Sequence, residues 1–365
     1  MNAIKEAFQS FLFVDGKTTQ SGAHFRDAID LKRGISFVII ALIPCLLFGM
    51  YNVGYQHYHS FTPTLSFGAN LWQNFWWGFL KVLPILVVTY VVGLGIEFAS
   101  AQINQHSVNE GYLATGILIA LIIPASTPLW QVALAVAFAV IFGKEVFGGT
   151  GMNFMNPALL ARAFLFFGFP ASMSGDKVWI ADKCEAFSGA TSLAQMSQGA
   201  IRPDSSFIDM FLGITPGCIG ETSTLLILIG GLFLFITGIA SLRIMFSVFV
   251  GGAFMALLGN CFGSSAYSQL PFYYHFVMGG FAFGAIFMAT DPVTACQTNK
   301  GKWIYGFLIG AFAVLIRIAN PAYPEGMMLS ILLMNVFAPL IDWCIVQLNI
   351  NRREKRWKEA KNEIL

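Results

Sequence analysis

The sequence predicts an all-α membrane protein of about ten transmembrane helices, arranged as two inverted five-helix repeats. The first observation behind this fold class is composition. Of the 365 residues, 56% are hydrophobic and only 11% are charged, whereas soluble domains carry about 25% charged residues. The second is the series of apolar stretches along the chain, and the third is a short motif that occurs twice. The net charge of +2 argues against a nucleic-acid partner.

A spanning helix needs about 20 mostly apolar residues. Candidate spans cover 34–54, 75–97, 111–124, 128–147, 153–170, 222–240, 243–260, 272–290, 303–319 and 326–347. These spans divide the chain into five parts. They are an N-terminal cytoplasmic segment (1–33), a first five-helix repeat (34–170), an external loop (171–221), a second five-helix repeat (222–347) and a C-terminal cytoplasmic tail (348–365).

The basic residues indicate how the chain crosses the membrane, because Lys and Arg concentrate in cytoplasmic loops. Both ends of the chain are rich in them: Lys5, Lys17, Arg26, Lys32 and Arg33 at one end, and Arg352, Arg353, Lys355, Arg356, Lys358 and Lys361 at the other. Both termini are therefore expected in the cytoplasm, which requires an even number of spans. Lys144, Arg243, Lys300 and Lys302 then fall near cytoplasmic connections. The 171–221 loop lies outside, with Lys177, Lys183 and Arg202 as a mild exception.

The repeat is suggested by the tripeptide Asn-Pro-Ala, which occurs at 156–158 and again at 320–322. A proline at a span end precedes each copy, Pro124 in the first half and Pro292 in the second, with one apolar span between proline and motif. Two halves of five spans each must be inverted relative to one another, because five is odd. Such repeats place their sites where Pro and Gly break helices, here in GGTGMNFMNPA and MATDPVTA.

Three acidic residues lie in apolar surroundings: Glu97, Asp291 and Asp342. Charges inside spans are costly, so these acids are candidates for a cation or proton route, or for holding a polar cofactor. The alternative is that they sit at span ends or pair internally. Arg162, in NPALLARAF, is expected to pair with a carboxylate under that alternative. The sequence predicts no metal site and no side chain that acts as a catalytic acid, base or nucleophile.

Asn153 and Asn156 follow a glycine-rich stretch and share one face if this segment is helical. Each amide offers a donor and an acceptor, which would suit the edge of a flat heterocycle such as an isoalloxazine. The alternative is that Asn156 caps the helix that begins at Pro157. The residues alone favour neither.

Several segments together resemble the B-type subunit of the Na+-translocating NADH:quinone oxidoreductases. They are SGAHFRDAIDLKR (21–33), KEVFGGTGMNFMNPALLARAFLFF (144–167), FSGAT (187–191), GGFAFGAIFMATDPVTA (279–295), NKGKWIYG (299–306) and NPAYPEGMM (320–328). The weaker resemblance is to the D-type subunit of the Rnf ferredoxin:NAD+ oxidoreductases. A third hypothesis is a passive channel or secondary transporter, which would have no use for a covalent flavin.

The resemblance implies a subunit of a six-subunit complex in the bacterial inner membrane, active only with its five partners and surrounded by lipid. Electrons would pass from NADH through FAD, iron–sulfur centres and flavins to a quinone, ubiquinone or menaquinone, as Na+ is exported. A flavin transferase would join FMN through its phosphate to Thr191. Gly189 and Ala190 would keep the approach to that hydroxyl open.

By the same resemblance, Asn153 and Asn156 are candidate contacts for a non-covalent riboflavin. Gly93 and Gly95 match a glycine pair near which quinone-site inhibitors act, and Glu97, Asp291 and Asp342 match acids implicated in sodium coupling. Two departures stand out. Glu185 replaces the Asp usual six residues before the threonine, and the stretch before EAFQSFLF is shorter than in longer members, which bears on the quinone site.

Overall fold

The computed structural model describes residues 21–23, 31–104, 110–175, 178–184, 187–200, 202–263, 265–320 and 325–364. Within these ranges every regular element is helical and none is a strand, which confirms the all-α prediction. Glu185 and most of the second Asn-Pro-Ala motif lie outside the described residues.

The first half of the chain forms five principal helices: α1 (Leu31–Phe61), α2 (Leu71–Asn104), α3 (Gly111–Ile122), α4 (Leu129–Gly143) and α5 (Pro157–Gly168). The connecting segment contains three short helices: α6 (Pro170–Met173), α7 (Ser192–Ser197) and α8 (Phe207–Leu212). The predicted 171–221 loop is therefore partly helical.

The second half contains α9 (Thr224–Ile236), α10 (Leu242–Phe262), the short turns α11 (Tyr274–Val277) and α12 (Phe281–Phe283), α13 (Asn299–Ala319) and α14 (Gly326–Ile364). A π-helical turn, Gly284–Met288, continues α12. The predicted C-terminal tail is not a separate segment, since α14 runs through it without a break.

Six helices among the described residues are long and apolar enough to cross a membrane: Lys32–Phe61, Leu71–Asn104, Leu129–Phe147, Leu242–Phe262, Asn299–Ala319 and Gly326–Ala360. Three further predicted spans contain apolar helices of only 12 or 13 residues, which are α3, α5 and α9. At 1.5 Å per residue, such helices are about 18–20 Å long, shorter than the hydrocarbon layer of roughly 30 Å. Nine of the ten predicted spans thus correspond to apolar helices of very different length among the described residues.

The predicted span 272–290 is wrong as a single helix. Gly279 adopts the left-handed region (φ +61°), which ends α11 and turns the chain before α12. Arg317 of α13 donates hydrogen bonds to the carbonyl oxygens of His275 (2.7 Å) and Met278 (2.9 Å). A search for apolar windows cannot detect this break, because the residues on both sides of it are apolar. The buried Arg317 side chain satisfies the backbone carbonyl groups that the break leaves without a helical partner.

Helix packing follows a related pattern in both halves. In the first half α2 packs against α4 and α4 against α5, and in the second α10 packs against α13 and α13 against α14. The α10–α13 contact is close because Gly251 and Gly310 face the partner backbone: a Cβ atom at Gly310 would overlap the carbonyl oxygen of Val248. Small residues of this kind let transmembrane helices approach closely. The two halves meet through α1 with α9 and α5 with α14.

Candidate functional site

Thr191 lies at the start of a short helix in the segment between the two halves. It is the N-cap of α7, where its Oγ1 accepts a hydrogen bond from the backbone N–H of Ala194 (3.2 Å). The side chain is half-buried, whereas Gly189 and Ala190 before it are buried. The hydroxyl of Tyr267 donates to the carbonyl of Leu193 (2.5 Å) and so fixes α7 to the second half.

A small cavity of about 40 Å³ opens beside Thr191. Glu221 and Glu325 lie in its wall with Trp179 and Thr222. The Trp179 Nε1 and Thr222 Oγ1 atoms are buried and have no hydrogen-bond partner among the described residues. A polar space of this size has room for about three water molecules, and it is too small to enclose a flavin ring system.

Beneath this cavity lies a buried charge cluster centred on Arg162 of α5. One guanidinium nitrogen of Arg162 contacts Glu221 and the other contacts Glu325. The second nitrogen also donates to the Cys218 sulfur (3.5 Å). The prediction that Arg162 pairs with a carboxylate is confirmed.

Sequence reasoning missed the partners in this cluster. Glu221 and Glu325 are 59 and 163 residues away from Arg162, so no local spacing links them. The signal available was their setting, GCIGETS and YPEGMM, in which an acid follows a proline or glycine next to an apolar span. Arg317, which is also buried, was missed for the same reason.

The two asparagines occupy a turn that leads into α5. Asn156 is the N-cap: its Oδ1 accepts from the backbone N–H groups of Ala158 (2.9 Å) and Leu159 (3.4 Å), and Pro157 follows at the first helical position. Asn153 precedes the helix and donates from Nδ2 to the carbonyl of Met155 (3.2 Å). The condition that both lie on one helical face is not met. The capping alternative is confirmed for Asn156, and contact with riboflavin stays a prediction.

Gly93 and Gly95 face different sides of α2. A Cβ atom at Gly93 would overlap the ring of Tyr112, whereas Gly95 is exposed and has no atom within 4 Å of such a position. The two glycines therefore do not line a single binding surface. Only Gly95 leaves open surface for a ligand.

The three candidate acids differ in their partners. Glu97 forms an ion pair with Lys144, and both side chains are only 4% exposed. Asp291 accepts from the backbone N–H of Val293 (3.1 Å) and the hydroxyl of Thr294 (3.0 Å).

Asp342 of α14 accepts from the backbone N–H groups of Gln297 (2.6 Å) and Thr298 (3.0 Å), and from the Thr298 hydroxyl (2.5 Å). It therefore stabilises the start of α13. Each of the three acids is thus paired or hydrogen-bonded within the protein. A role in an ion pathway stays a prediction.

The acids lie at the opposite end of the helices from Thr191. Lys81, near the start of α2, pairs with Asp182 of the connecting segment (2.5 Å), and Glu97 follows 16 residues later on α2, about 24 Å at 1.5 Å per residue. Arg317 lies at the end of α13 that is nearer Thr191. Asn299, beside Asp342, lies at the other end of the same helix. We call these two regions the Thr191 end and the acid end.

Comparison with known proteins shows which family the sequence belongs to. Residues 18–351 match the family described as "NQR2, RnfD, RnfE family". A protein from Ectopseudomonas mendocina (strain ymp), named as the B-type subunit of a Na(+)-translocating NADH-quinone reductase, is 50% identical over 97% of this chain and 94% of its own length. Proteins of the same name from Chromohalobacter salexigens and Stutzerimonas stutzeri are each 48% identical, over 99% and 97% of this chain and 93% and 94% of their own lengths. The chain therefore belongs to the NQR2, RnfD, RnfE family.

Proposed function

We propose that this chain is the membrane subunit of a redox-driven sodium pump that carries covalent FMN and riboflavin and passes electrons from NADH toward a quinone. The support is similarity over almost the whole chain to proteins named as the B-type subunit of the Na+-translocating NADH-quinone reductase. The observation that carries the proposal is the half-buried Thr191 hydroxyl at the surface of the connecting segment, in the sequence FSGAT. Export of Na+ would be coupled to this electron transfer.

The residues around Thr191 fit an ester to FMN. The Thr191 side chain is half-buried, and the buried glycine and alanine before it add little bulk. A bound flavin would supply one- and two-electron transfer, while the protein sets its position and surroundings. The neighbouring cavity holds water-sized groups only, so Thr191 provides the attachment point rather than an enclosed flavin pocket.

Asn153 and Asn156 retain groups that could contact riboflavin. The cap uses Oδ1 of Asn156 and leaves its Nδ2 as a donor, and Asn153 keeps its Oδ1 as an acceptor. For the quinone, ubiquinone or menaquinone, the open surface at Gly95 is the candidate contact, since Tyr112 covers Gly93. Glu97, Asp291 and Asp342 remain the proposed ion-pathway residues.

We also propose the inverted-repeat topology, with both termini in the cytoplasm of a bacterial inner membrane. Two corresponding helix contacts, α2–α4 with α10–α13 and α4–α5 with α13–α14, support the repeat. Lys144, Arg243 and Lys302 all occur at helix ends away from Thr191, and under the positive-inside rule this distribution supports an external Thr191. The other five subunits and a flavin transferase are the proposed partners.

The experiment that tests the flavin assignment is peptide mass spectrometry of the chain coexpressed with its flavin transferase. The peptide containing Thr191 should gain the mass of FMN less water, and Thr191→Ala should abolish the gain. Ser188→Ala is the matched control, because Ser188 is an exposed hydroxyl in the same motif and should leave the adduct intact. An unmodified wild-type peptide beside an active transferase would exclude covalent FMN at this site.

Quinone reduction by the assembled complex separates the proposal from an Rnf-type function. NADH-dependent reduction of quinone that responds to Na+ supports the proposal. Reduction of NAD+ by ferredoxin in its place would assign the chain to the Rnf branch of the family.

A further inference from the structure

Lys144 joins the end of α4 to α2 through Glu97. Its ammonium contacts the Glu97 carboxylate, and both side chains are almost fully buried. Of the three candidate acids, Glu97 alone has a cationic partner in the described part of the chain, since Asp291 and Asp342 are held by N–H and hydroxyl groups. The Glu97 carboxylate is thus already paired with a positive charge.

A second contact lies one residue further along. The hydroxyl of Ser100 donates to Glu145 Oε2 (2.5 Å). Glu97 and Ser100 are three residues apart on α2 and share one face. Lys144 and Glu145 therefore fasten the end of α4 to α2 at two successive positions, which we call the Lys144 clasp.

The chain that follows the clasp leads directly to the asparagines. The carbonyl of Lys144 accepts from the backbone N–H groups of Phe147 (3.2 Å) and Gly149 (3.1 Å). Three glycines then adopt left-handed conformations, at positions 148, 149 and 151. Asn153 follows only nine residues after Lys144. The clasp thus holds the start of the segment that carries the candidate riboflavin contacts.

The charges at the clasp constrain how a second cation can bind. A buried carboxylate that loses its partner is strongly destabilised, so a cation can be taken up at Glu97 most easily by replacing the ammonium. Lysine suits such an exchange, because it is a compact point charge on a flexible stem and not a rigid fork.

We propose that Lys144 is the resident counter-ion that the transported cation displaces at Glu97, and that displacement releases residues 144–156 from α2. This inference rests on the proposed function and deepens it. An ion at Glu97 would thereby alter the position of the segment that ends at Asn156. Because linkage is reciprocal, a change in that segment would equally change the affinity of Glu97 for the ion.

The first test measures the Na+ dependence of quinone reduction by the complete complex with Lys144→Gln. Removing the competing charge should lower the KM for Na+ by about fivefold or more, the lower part of the range for coupled sites. Lys144→Arg should raise the KM for Na+, because a guanidinium can contact a carboxylate through two nitrogens and is harder to displace. In Glu97→Gln, replacing Lys144 should no longer shift the KM.

Lys32→Gln is the matched control. Lys32 forms an ion pair with Glu110, which is another lysine–glutamate pair near the acid end. Its replacement therefore removes one positive charge and leaves the partner of Glu97 in place. It should leave the KM for Na+ unchanged. An unchanged or raised KM in Lys144→Gln would overturn the proposal. Should that variant not assemble, the absence of a raised KM in Lys144→Arg would do the same.

Amide hydrogen exchange supplies a readout that does not need turnover. In the wild-type complex, peptides covering 144–156 should exchange faster in Na+ than in choline, and in Lys144→Gln they should exchange fast in both. Equal wild-type exchange in the two salts would refute release of the segment. A flavin-loaded wild-type complex whose quinone reduction ignores Na+ would instead refute the proposed function, so the two failures are distinguishable.

Discussion

Two buried ion clusters sit at opposite ends of the helices, and they are built differently. At the Thr191 end, Arg162 bridges Glu221 and Glu325, which belong to different segments of the chain. At the acid end, Lys144 contacts Glu97. A guanidinium stays charged and can donate hydrogen bonds from two nitrogens in a fixed geometry. An ammonium is a single charge on a flexible side chain. The comparison suggests a permanent joint at the Thr191 end and an exchangeable one at the acid end.

The largest effect should come from removing the Arg162 joint. Arg162→Met would leave the buried Glu221 and the partly buried Glu325 without their arginine, and breaking a buried pair costs about 3–5 kcal/mol. The thermal midpoint of the detergent-solubilised chain should fall markedly. A thiol-reactive dye can follow unfolding, because Cys45, Cys218 and Cys296 are buried. The other three cysteines, which are exposed or partly exposed, are first replaced by serine: Cys184, Cys261 and Cys344.

Arg162→Lys sharpens this comparison. It keeps the charge but cannot hold both glutamates with the same geometry, so its midpoint should fall between those of the wild type and Arg162→Met. A lysine variant as stable as the wild type would show that the two-point contact is unimportant and that the two ends do not differ in kind.

A smaller effect is expected between the two ends, at the cap of α5. Asn156→Ala removes the acceptor for two backbone N–H groups and should destabilise the chain by about 1 kcal/mol. Asn156→Ser is the control, because serine is also a good N-cap. If riboflavin contacts the asparagine amide, the serine variant should retain stability yet lose flavin on purification. Equal flavin content in both variants and the wild type would count against that contact.

The smallest effect should follow from loss of an exposed ion pair. Lys81 and Asp182 are 39% and 65% exposed, and surface pairs contribute about 0.2–1 kcal/mol. Lys81→Gln should therefore shift the midpoint only slightly, and less still at high salt, where charges are screened. A shift comparable to that of Arg162→Met would mean that this contact fixes the connecting segment far more firmly than its exposure indicates.

Local patterns predicted the parts of this molecule that depend on local physics. Apolar windows located the long helices, and the position of Asn156 before Pro157 allowed the cap that the structure shows. The pairing of Arg162 with an acid followed from the cost of burying an isolated charge. Which acids it meets depends on contacts across more than 50 residues, and no spacing in one sequence specifies them.

The break within 272–290 was missed for a related reason. Its residues are apolar enough for a continuous span, and the turn depends on the backbone of Gly279 and on a distant arginine.

Glu97 was correctly singled out as unusual, with internal pairing left open as one explanation. Its pairing with Lys144 in particular is not predicted, because the sequence does not show that α2 and α4 end side by side.

The final helix also has a practical use. Gly326–Ile364 comprises 39 residues, about 58 Å at 1.5 Å per residue, whereas the hydrocarbon layer is roughly 30 Å thick. The stretch from Arg352 to Lys358 is exposed and belongs to the same helix. A small rigid domain fused in helical register to this end would be held at a fixed angle and distance from the bundle. It could serve as an orientation marker for electron microscopy of the purified chain.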